Sequence, residues 1–336
     1  MKRFPLLLLL FSLLGLSCEK SWKERMRDDS PYESFDVLWE TIDRKYAYLE
    51  LKDLRWDTVY WHFLPQIDQD MSEEALFAVL DSMLYLLRDG HVNLRSPFDL
   101  SRNWQWYLAY PDNFDAELVE RHYLGADHRI AGGMRYTFLS DSIGYLRYSS
   151  FGATIEEAQL RAVLRYFKNA RGLIVDIRSN GGGSLSNAYR LARAFVQSTQ
   201  PRLRRLYRTG PEADAFGRST EVTLTPPEDP RDRFSKPVIL LQNRRSYSAA
   251  NTFAGLMSQQ DSVQLWGDTT GGGGGLPVDY ELPNGWYFRF SATRELMPNG
   301  RDLELGVPPD RPLQQDSASS RQGRDRLIEE ALKQLR

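Results

Sequence analysis

A strand-to-helix turn is predicted in residues 238–257, which read Val238-Ile-Leu-Leu-Gln-Asn-Arg-Arg-Ser-Tyr-Ser-Ala-Ala-Asn-Thr-Phe-Ala-Gly-Leu-Met257. The apolar run Val238–Leu241 is typical of a short strand that is buried on both faces. Residues 243–247 are polar and turn-like. From Ala249 onward the pattern predicts a helix, because apolar residues recur three and four positions apart, at Phe253, Leu256 and Met257.

Ser248 lies where this strand gives way to the helix. A hydroxyl group at such a place points out of the sheet, beside the first free N–H groups of the helix, which could hold an oxyanion. A nearby base could then activate the hydroxyl as a nucleophile. The alternative is that Ser248 or Ser246 only caps the helix, which is the commonest role of a serine there. Taken alone, the local sequence favours the cap.

The composition is that of a soluble globular protein. The 336 residues are 41% hydrophobic and 26% charged, and the formal net charge is −2. This length suits two domains, or one large domain with an appendage. The basic residues are spread along the chain rather than clustered, so no nucleic-acid partner is predicted.

The first eighteen residues predict export. Residues 1–17 combine a basic start, a leucine-rich run and a small residue, as in an export signal that is too short to span a bilayer comfortably. Cys18, the only cysteine, follows directly and resembles the lipidated cysteine of a bacterial lipobox. We therefore expect a lipid-anchored protein of the cell envelope, periplasmic or on the outer membrane, with an ordinary cleaved signal as the alternative. Residues 18–30 are charged and predict a tether.

The rest of the chain predicts an α/β protein with a helical start. Apolar stripes at helical spacing indicate a small helical bundle in residues 31–96. Residues 97–135 are aromatic and irregular, and indicate a packed connector. Repeated strand–turn–helix units in residues 136–314 indicate an α/β core domain. Residues 315–336 contain an amphipathic C-terminal helix.

Two glycine-rich loops lack the features of a nucleotide-binding site. Asn180–Gly183 and Gly271–Gly275 both lack the lysine of a P-loop and the spacing of a dinucleotide turn. No group of His, Cys, Asp or Glu has metal-ligand spacing, so neither a cofactor nor a metal is predicted. Glycine also permits close backbone approach, with N–H groups aimed at a substrate oxygen. The turn at 181–183, between a buried strand and a helix, suits that role.

Five segments, in order along the chain, resemble the family of C-terminal processing (tail-specific) and tricorn-type serine peptidases. The resemblance runs from about residue 35 to the end and implies a ClpP/crotonase-like core. The connector at 97–135 is too short for the PDZ module that many such chains carry. The segments are Leu86–Val92, Leu173–Gly183, Ser248–Gly255, Gly267–Gly273 and Leu303–Asp310.

The resemblance implies a serine nucleophile, Ser248, and an oxyanion hole made by the N–H groups of Ala249 and the Gly181–Gly182 turn. One branch of the family uses a lysine base, which would fall at Gly273. Because the sequence has no lysine between Lys236 and Lys333, that mechanism is excluded.

The tricorn-type branch uses a histidine base instead, and its place is taken by His91. Taken alone, a single loop histidine is more often structural than catalytic. In that branch a serine precedes the histidine, where this chain has Gly90. A supporting glutamate would fall near Glu304, and the acidic residue after the nucleophile is replaced by Asn251.

These features predict a serine peptidase that hydrolyses extended or unfolded polypeptides in the cell envelope. An inactive family member that binds peptides or apolar ligands is the alternative, because Gly90 and Glu304 depart from the family pattern. An acyl-CoA enzyme with the same core architecture is less favoured, since a strand-turn serine with a histidine base serves hydrolysis better. The oligomeric state is left open.

Overall fold

The computed structural model describes residues 29–102, 104–140, 142–217 and 219–336. The predicted export signal, Cys18 and the predicted tether up to residue 28 lie outside these residues. In the described part of the chain, no helix combines the length and the hydrophobicity that crossing a bilayer requires.

The helices gather at the start of the chain, between the core strands and at the end. They are Pro31–Lys45 (α1), Trp56–Phe63 (α2), Glu73–Tyr85 (α3), Gln105–Leu108 (α4), Ala116–Val119 (α5), Glu157–Tyr166 (α6), Leu185–Arg193 (α7), Ala249–Met257 (α8), Ser317–Arg321 (α9) and Arg326–Leu335 (α10). A single π-helical turn at Glu120–Leu124 continues α5, and short 3-10 turns lie at Leu64–Gln66, Pro230–Asp232 and Leu303–Leu305.

The strands form three sheets. They are Asn93–Arg95 (β1), Arg129–Ala131 (β2), Met134–Ser140 (β3), Ile143–Tyr148 (β4), Gly172–Asp176 (β5), Gln200–Tyr207 (β6), Thr220–Leu224 (β7), Val238–Gln242 (β8), Val263–Gly267 (β9), Pro277–Glu281 (β10), Tyr287–Ser291 (β11), Thr293–Leu296 (β12) and Arg311–Pro312 (β13). A mixed sheet of seven strands forms the centre, in the order β13-β9-β8-β5-β4-β3-β2. It is parallel from β13 to β4, and β3 and β2 are antiparallel. Two smaller antiparallel sheets have the orders β1-β11-β10 and β12-β6-β7.

The central strands β5 and β8 are buried throughout, because the sheet is covered on both faces. Leu173, Val175 and Leu240 pack on one side with residues of α6, α7 and α8. Ile174 and Ile239 pack on the other side with α10. The predicted α/β class with a helical start is confirmed, and the run Val238–Leu241 lies within β8 as predicted. The sheet begins at β2, inside the segment predicted as a connector.

The helical segment at the start of the chain does not close on itself. Its core, which contains Phe35 and Leu80, also takes in Trp286, Phe288 and Phe290 from the hairpin of β10 and β11. Strand β1 adds to the same hairpin by pairing antiparallel with β11. Three short helices bury too little apolar surface alone, so the hairpin completes the core of residues 31–96.

A buried ion network ties the last helix to the sheet. The Arg178 guanidinium donates to Asp176, at the end of β5, and to Asp325, the N-cap of α10, at 2.6 and 2.8 Å. All three side chains are fully buried. Asp325 also accepts the N–H of Ile328, so one carboxylate both caps α10 and neutralises the arginine.

We predict that Asp325→Ala destabilises the fold by about 3–5 kcal/mol, because it leaves part of a buried guanidinium charge uncompensated and removes a helix cap. Urea denaturation followed by circular dichroism measures the effect. Glu40→Ala, which breaks the exposed pair of Glu40 with Arg44, is the control and should change stability by less than about 1 kcal/mol. Equal stability of the Asp325 variant and the wild type would contradict the prediction.

Candidate active site

Ser248 lies at a strained turn between β8 and α8. Its backbone has φ 55° and ψ −121°, a conformation that residues other than glycine rarely adopt. Two hydrogen bonds hold the turn: Ser248 N–H donates to Gly272 O at 2.9 Å, and Tyr247 N–H donates to Asn180 O at 3.0 Å. Such strain at a strand-to-helix turn lifts the hydroxyl group clear of the backbone.

Neither serine of the turn caps the helix. Ser248 occupies the N-cap position, but its side chain makes no capping hydrogen bond. The Ser246 hydroxyl instead donates to Ile177 O at 2.8 Å, which joins the turn to the end of β5. The cap that the local sequence favours is therefore not realised, because the positive φ turns the Ser248 hydroxyl toward another partner.

That partner is His91, which precedes Ser248 by 157 residues. The His91 Nε2 atom lies 3.0 Å from Ser248 Oγ. His91 sits in the loop between α3 and β1, where its backbone N–H donates to Asp89 Oδ1 at 2.8 Å. The Asp89 carboxylate thus stabilises the loop in a conformation that places the His91 imidazole beside Ser248.

The Tyr247 ring fills the space around this pair. It contacts the His91 ring at 5.1 Å between centroids and the Tyr107 ring at 5.2 Å, and its hydroxyl donates to Asp89 Oδ1 at 3.2 Å. A side chain at Gly273 would place its Cβ 2.4 Å from this ring, and one at Gly90 would meet the Tyr247 hydroxyl at 2.9 Å. The tyrosine therefore explains why both positions are glycine. Sequence reasoning missed Tyr247 as part of the site. The glycines at positions 90 and 273, where the family has side chains, were a sign that a bulky group occupies the space beside them.

The electrostatics around His91 favour the neutral imidazole. Burial lowers the pKa of His91; Asp89 raises it, and the positive charges of Arg289 and Lys52 lower it again. The net pKa lies below the ordinary value for histidine. A neutral imidazole can accept a proton, which is the state that a general base requires.

Two further groups beside His91, Ser291 and Asp89, were missed by sequence reasoning. His91 Nδ1 lies 3.4 Å from the hydroxyl of Ser291, on β11. Burial raises the pKa of Asp89, but the charges of Lys52 and His91, together with the hydrogen bond from the His91 backbone N–H, lower it below its ordinary value. Asp89 is inside the resemblance segment at 86–92, but nothing in the local sequence separates it from an ordinary turn aspartate.

Glu304, the predicted supporting glutamate, lies behind the histidine loop and contacts Lys52 rather than His91. Its carboxylate binds Lys52 at 2.7 Å and accepts the N–H of Gly274 at 3.2 Å. Among the described contacts, neither a hydrogen bond nor an ion pair joins it to His91. Burial raises the pKa of Glu304 to about 7, and nearby Asp89 adds to the rise against the charge of Lys52. Because Lys52 and the backbone take up its oxygens, Glu304 makes no direct contact with the imidazole, and its supporting role behind His91 stays a prediction.

The predicted oxyanion hole is met only in part. The N–H of Gly182 donates to Asn180 Oδ1 at 2.9 Å, so it is already engaged. Gly182 instead lets two turns pack closely, since an added Cβ would lie 2.8 Å from Ser248 Cβ. Gly181 lines the cavity next to Ser248, and Ala249 begins α8, ahead of its first intrahelical N–H bond. These two N–H groups remain candidates to hold an oxyanion.

The pair opens into a cavity of about 530 Å³. Its apolar side chains include Trp104, Tyr107, Leu108, Leu185, Leu276 and Pro277. Of its charged groups, Arg245 pairs with Asp112, and Glu295 pairs with Arg205. A mostly apolar cleft with a few polar groups suits a short stretch of polypeptide. Within the described residues, no cluster of His, Cys, Asp or Glu side chains is placed to hold a metal ion.

Two family profiles match the sequence in two separate regions, with residues 86–141 between them. The profile of peptidase family S41 matches residues 142–313, and that of the tricorn protease C1 domain matches residues 28–85. The first covers the central sheet from β4 to β13 and the Ser248 turn, and the second covers the helical segment before the His91 loop.

Curated relatives match part of the chain at 26% identity. Carboxy-terminal processing protease CtpB of Bacillus subtilis is 26% identical over 170 residues, which are 50% of this chain and 33% of the relative. Carboxyl-terminal-processing peptidase 1 of the Arabidopsis thaliana chloroplast is 26% identical over 175 residues, with the same two coverages. The matches to these curated relatives thus extend over about a third of the relatives' length.

Solved structures match over most of the chain. The crystal structure of a candidate peptidase from Parabacteroides merdae is 41% identical, with a TM-score of 0.86, and the match covers 91% of this chain and 96% of that one. The photosystem II D1 C-terminal processing protease shares the fold at 16% identity, with a TM-score of 0.55 over 90% and 98% of the two chains. Because the first family profile covers just over half of the 336 residues, the chain belongs to peptidase family S41.

Proposed function

We propose that the protein is a serine peptidase of the cell envelope that hydrolyses peptide bonds in extended or unfolded polypeptides. The observation that carries the proposal is the 3.0 Å approach of His91 Nε2 to Ser248 Oγ, between segments that are far apart in sequence. A neutral imidazole within hydrogen-bond reach of a serine at a strained turn is the arrangement that acyl transfer needs.

The reaction has two balanced halves. His91 Nε2 takes the Ser248 proton as Oγ attacks the peptide carbonyl carbon; the C–N bond then breaks, and the proton passes to the leaving amine. In the second half, His91 takes a proton from water while the water oxygen attacks the acyl carbon. The acid product leaves, and the proton returns to Ser248 Oγ. The N–H groups of Ala249 and Gly181 hold the negative oxygen in both halves.

The proposed substrate follows from the cavity. Trp104 and Leu108 are about half exposed at its lining, and Leu276 and Pro277 are next to the glycine run beside Ser248. These groups favour apolar side chains of a polypeptide that lies extended past the serine. A folded surface presents few such side chains together, so an unfolded or terminal segment fits better.

We predict that Ser248→Ala abolishes labelling by a fluorophosphonate probe and cleavage of an unfolded protein such as casein, because the covalent step has no nucleophile. Gel fluorescence and peptide release measure the two effects. Ser258→Ala, at the other end of α8, is the matched control and should label like the wild type. A wild-type protein that does not label would refute the peptidase proposal and support a non-catalytic binder of peptides or apolar ligands.

We predict that the rate of labelling falls on the acid side with a midpoint below about 6.5, the ordinary pKa of histidine. The pKa of His91 is lowered, so the imidazole remains neutral, and the base remains competent, to a lower pH than usual. Arg289→Gln removes a positive charge that disfavours the imidazolium, so the midpoint should move to higher pH. Labelling rates across pH 4.5 to 8 measure both. A wild-type midpoint above that of the variant would contradict the assignment.

The proposed location in the envelope rests on the export signal and on Cys18, which lie outside the described residues. We predict that Cys18→Ala moves the protein from the membrane fraction to the soluble fraction, because no lipid chain can be attached. Cell fractionation and immunoblotting measure the distribution, with Ser248→Ala as a control that stays with the membranes. An unchanged distribution of the Cys18 variant would count against lipidation.

A further inference from the structure

The small sheet of β1, β11 and β10 turns one face to the helical core and the other to the cavity. Leu94, Phe288 and Phe290 are buried in the helical core. Because successive side chains of a strand point to opposite faces, their neighbours Asn93 and Arg289 lie on the other face, and both line the cavity. These two residues are paired directly across β1 and β11. The sheet therefore brings an amide and a guanidinium group together at the cavity.

The Asn93 amide and the Arg289 guanidinium are both left without a partner. No ion pair or hydrogen bond joins either side chain to another described residue. Asp279 lies across from Arg289 on β10, but the two form no ion pair, and Asp279 is not among the residues that line the cavity. The two other charged groups of the lining named above are held in ion pairs. Within the described lining, the charge of Arg289 is thus not neutralised.

Arg289 lies on the side of the site from which the amine leaves. In the proposed reaction His91 passes a proton to the leaving amine, so the residues after the scissile bond lie beside the imidazole. The Ser291 hydroxyl, on β11, is 3.4 Å from His91 Nδ1. Arg289 is two residues away in the same strand, which is about 7 Å. An extended substrate has a similar rise per residue, so one of its first three residues after the scissile bond meets Arg289.

The charge of Arg289 opposes the reaction unless the substrate compensates it. This positive charge disfavours the protonated imidazole and so lowers the pKa of His91. The imidazole must nevertheless become protonated when it takes the Ser248 proton. A carboxylate bound to Arg289 would cancel the charge and favour the imidazolium. A substrate that carries a carboxylate at this place therefore gains both in binding and in proton transfer.

We propose that Arg289 and Asn93 are specificity-determining residues that bind an acidic side chain, Asp or Glu, within the first three residues after the scissile bond. This inference rests on the proposed peptidase function, because the base His91 defines the leaving side. A guanidinium and an amide both donate hydrogen bonds to a carboxylate. We choose an acidic side chain over the terminal carboxylate, because the end of a long extended polypeptide lies far from most of its peptide bonds.

Matched peptides with an amidated C-terminus test the subsite. Mass spectrometry of digested casein first identifies a cleaved bond, and Glu, Gln or Lys is then placed at each of the three positions after it. In the wild type we expect kcat/KM to be about fivefold higher for Glu than for Gln at one of these positions, mostly through KM, as for an exposed charge pair. High salt should reduce this preference.

Variants of the subsite should change the preference in defined ways. Arg289→Gln should remove it, and Arg289→Glu should reverse it in favour of Lys. Asn93→Ala should reduce it, since one donor is lost. Arg95→Gln changes an exposed arginine of β1 that is not among the residues lining the cavity, so it is the matched control and should keep the wild-type preference.

Binding to the Ser248→Ala variant gives a readout that does not depend on turnover. Fluorescence anisotropy should show about fivefold tighter binding of the Glu peptide than of the Gln peptide. Adding Arg289→Gln to this variant should make the two affinities equal. Because Arg289 is exposed, its variants should fold like the wild type, which thermal melts check.

The possible failures are distinct. If the wild type neither labels nor cleaves, the peptidase function fails, and the binding measurement still decides whether Arg289 and Asn93 hold a carboxylate. If the wild type cleaves but the Glu and Gln peptides behave alike at all three positions, the subsite is overturned while the peptidase function stands. A gain that occurs only when the C-terminus is not amidated would overturn the choice of an acidic side chain.

Discussion

The packing of the Tyr247 ring between two loops is the constraint on which the site depends. The ring joins the nucleophile turn, to which it belongs, to the loop that carries His91, and its hydroxyl reaches the carboxylate that folds this loop. The space it occupies is denied to side chains at positions 90 and 273. A lysine base is therefore excluded for two reasons. The sequence has no lysine near this position, and the Tyr247 ring occupies the space that a lysine side chain at position 273 would need.

Local patterns were enough to predict the strand–turn–helix unit around Ser248, because β8 and α8 are set by neighbouring residues. His91 could be named only through the family resemblance. Asp89, Tyr247 and Ser291 were missed, since their contacts join positions 158 and 200 residues apart and leave no periodic trace. Glu304 was named as a supporting group, but its ion pair with Lys52 was not foreseen. Its partner Lys52 belongs to the helical segment, and no local pattern connects the two.

Charges are buried at two places in the fold. Arg178 is neutralised by two carboxylates and fixes α10 against β5. Lys52 pairs with Glu304, and its charge lowers the pKa values of Asp89 and His91. Lys52 also donates to the carbonyl oxygens of Leu87 and Arg88, so the same ammonium group holds the start of the His91 loop. Buried charges of this kind are costly unless fully paired, and here the pairing also defines where the loops meet.

Strand β11 shows why the helical segment and the sheet core are not exchangeable modules. Successive side chains of a strand point to opposite faces. Phe288 and Phe290 accordingly enter the core of the helical segment, while Arg289 and Ser291 face the histidine. A change that repacks the helices would tilt this strand and so move a hydroxyl group beside the imidazole. A chimeric protein with a foreign helical segment would therefore have to take the matching β10–β11 hairpin as well, because the hairpin both completes the helical core and lines the histidine.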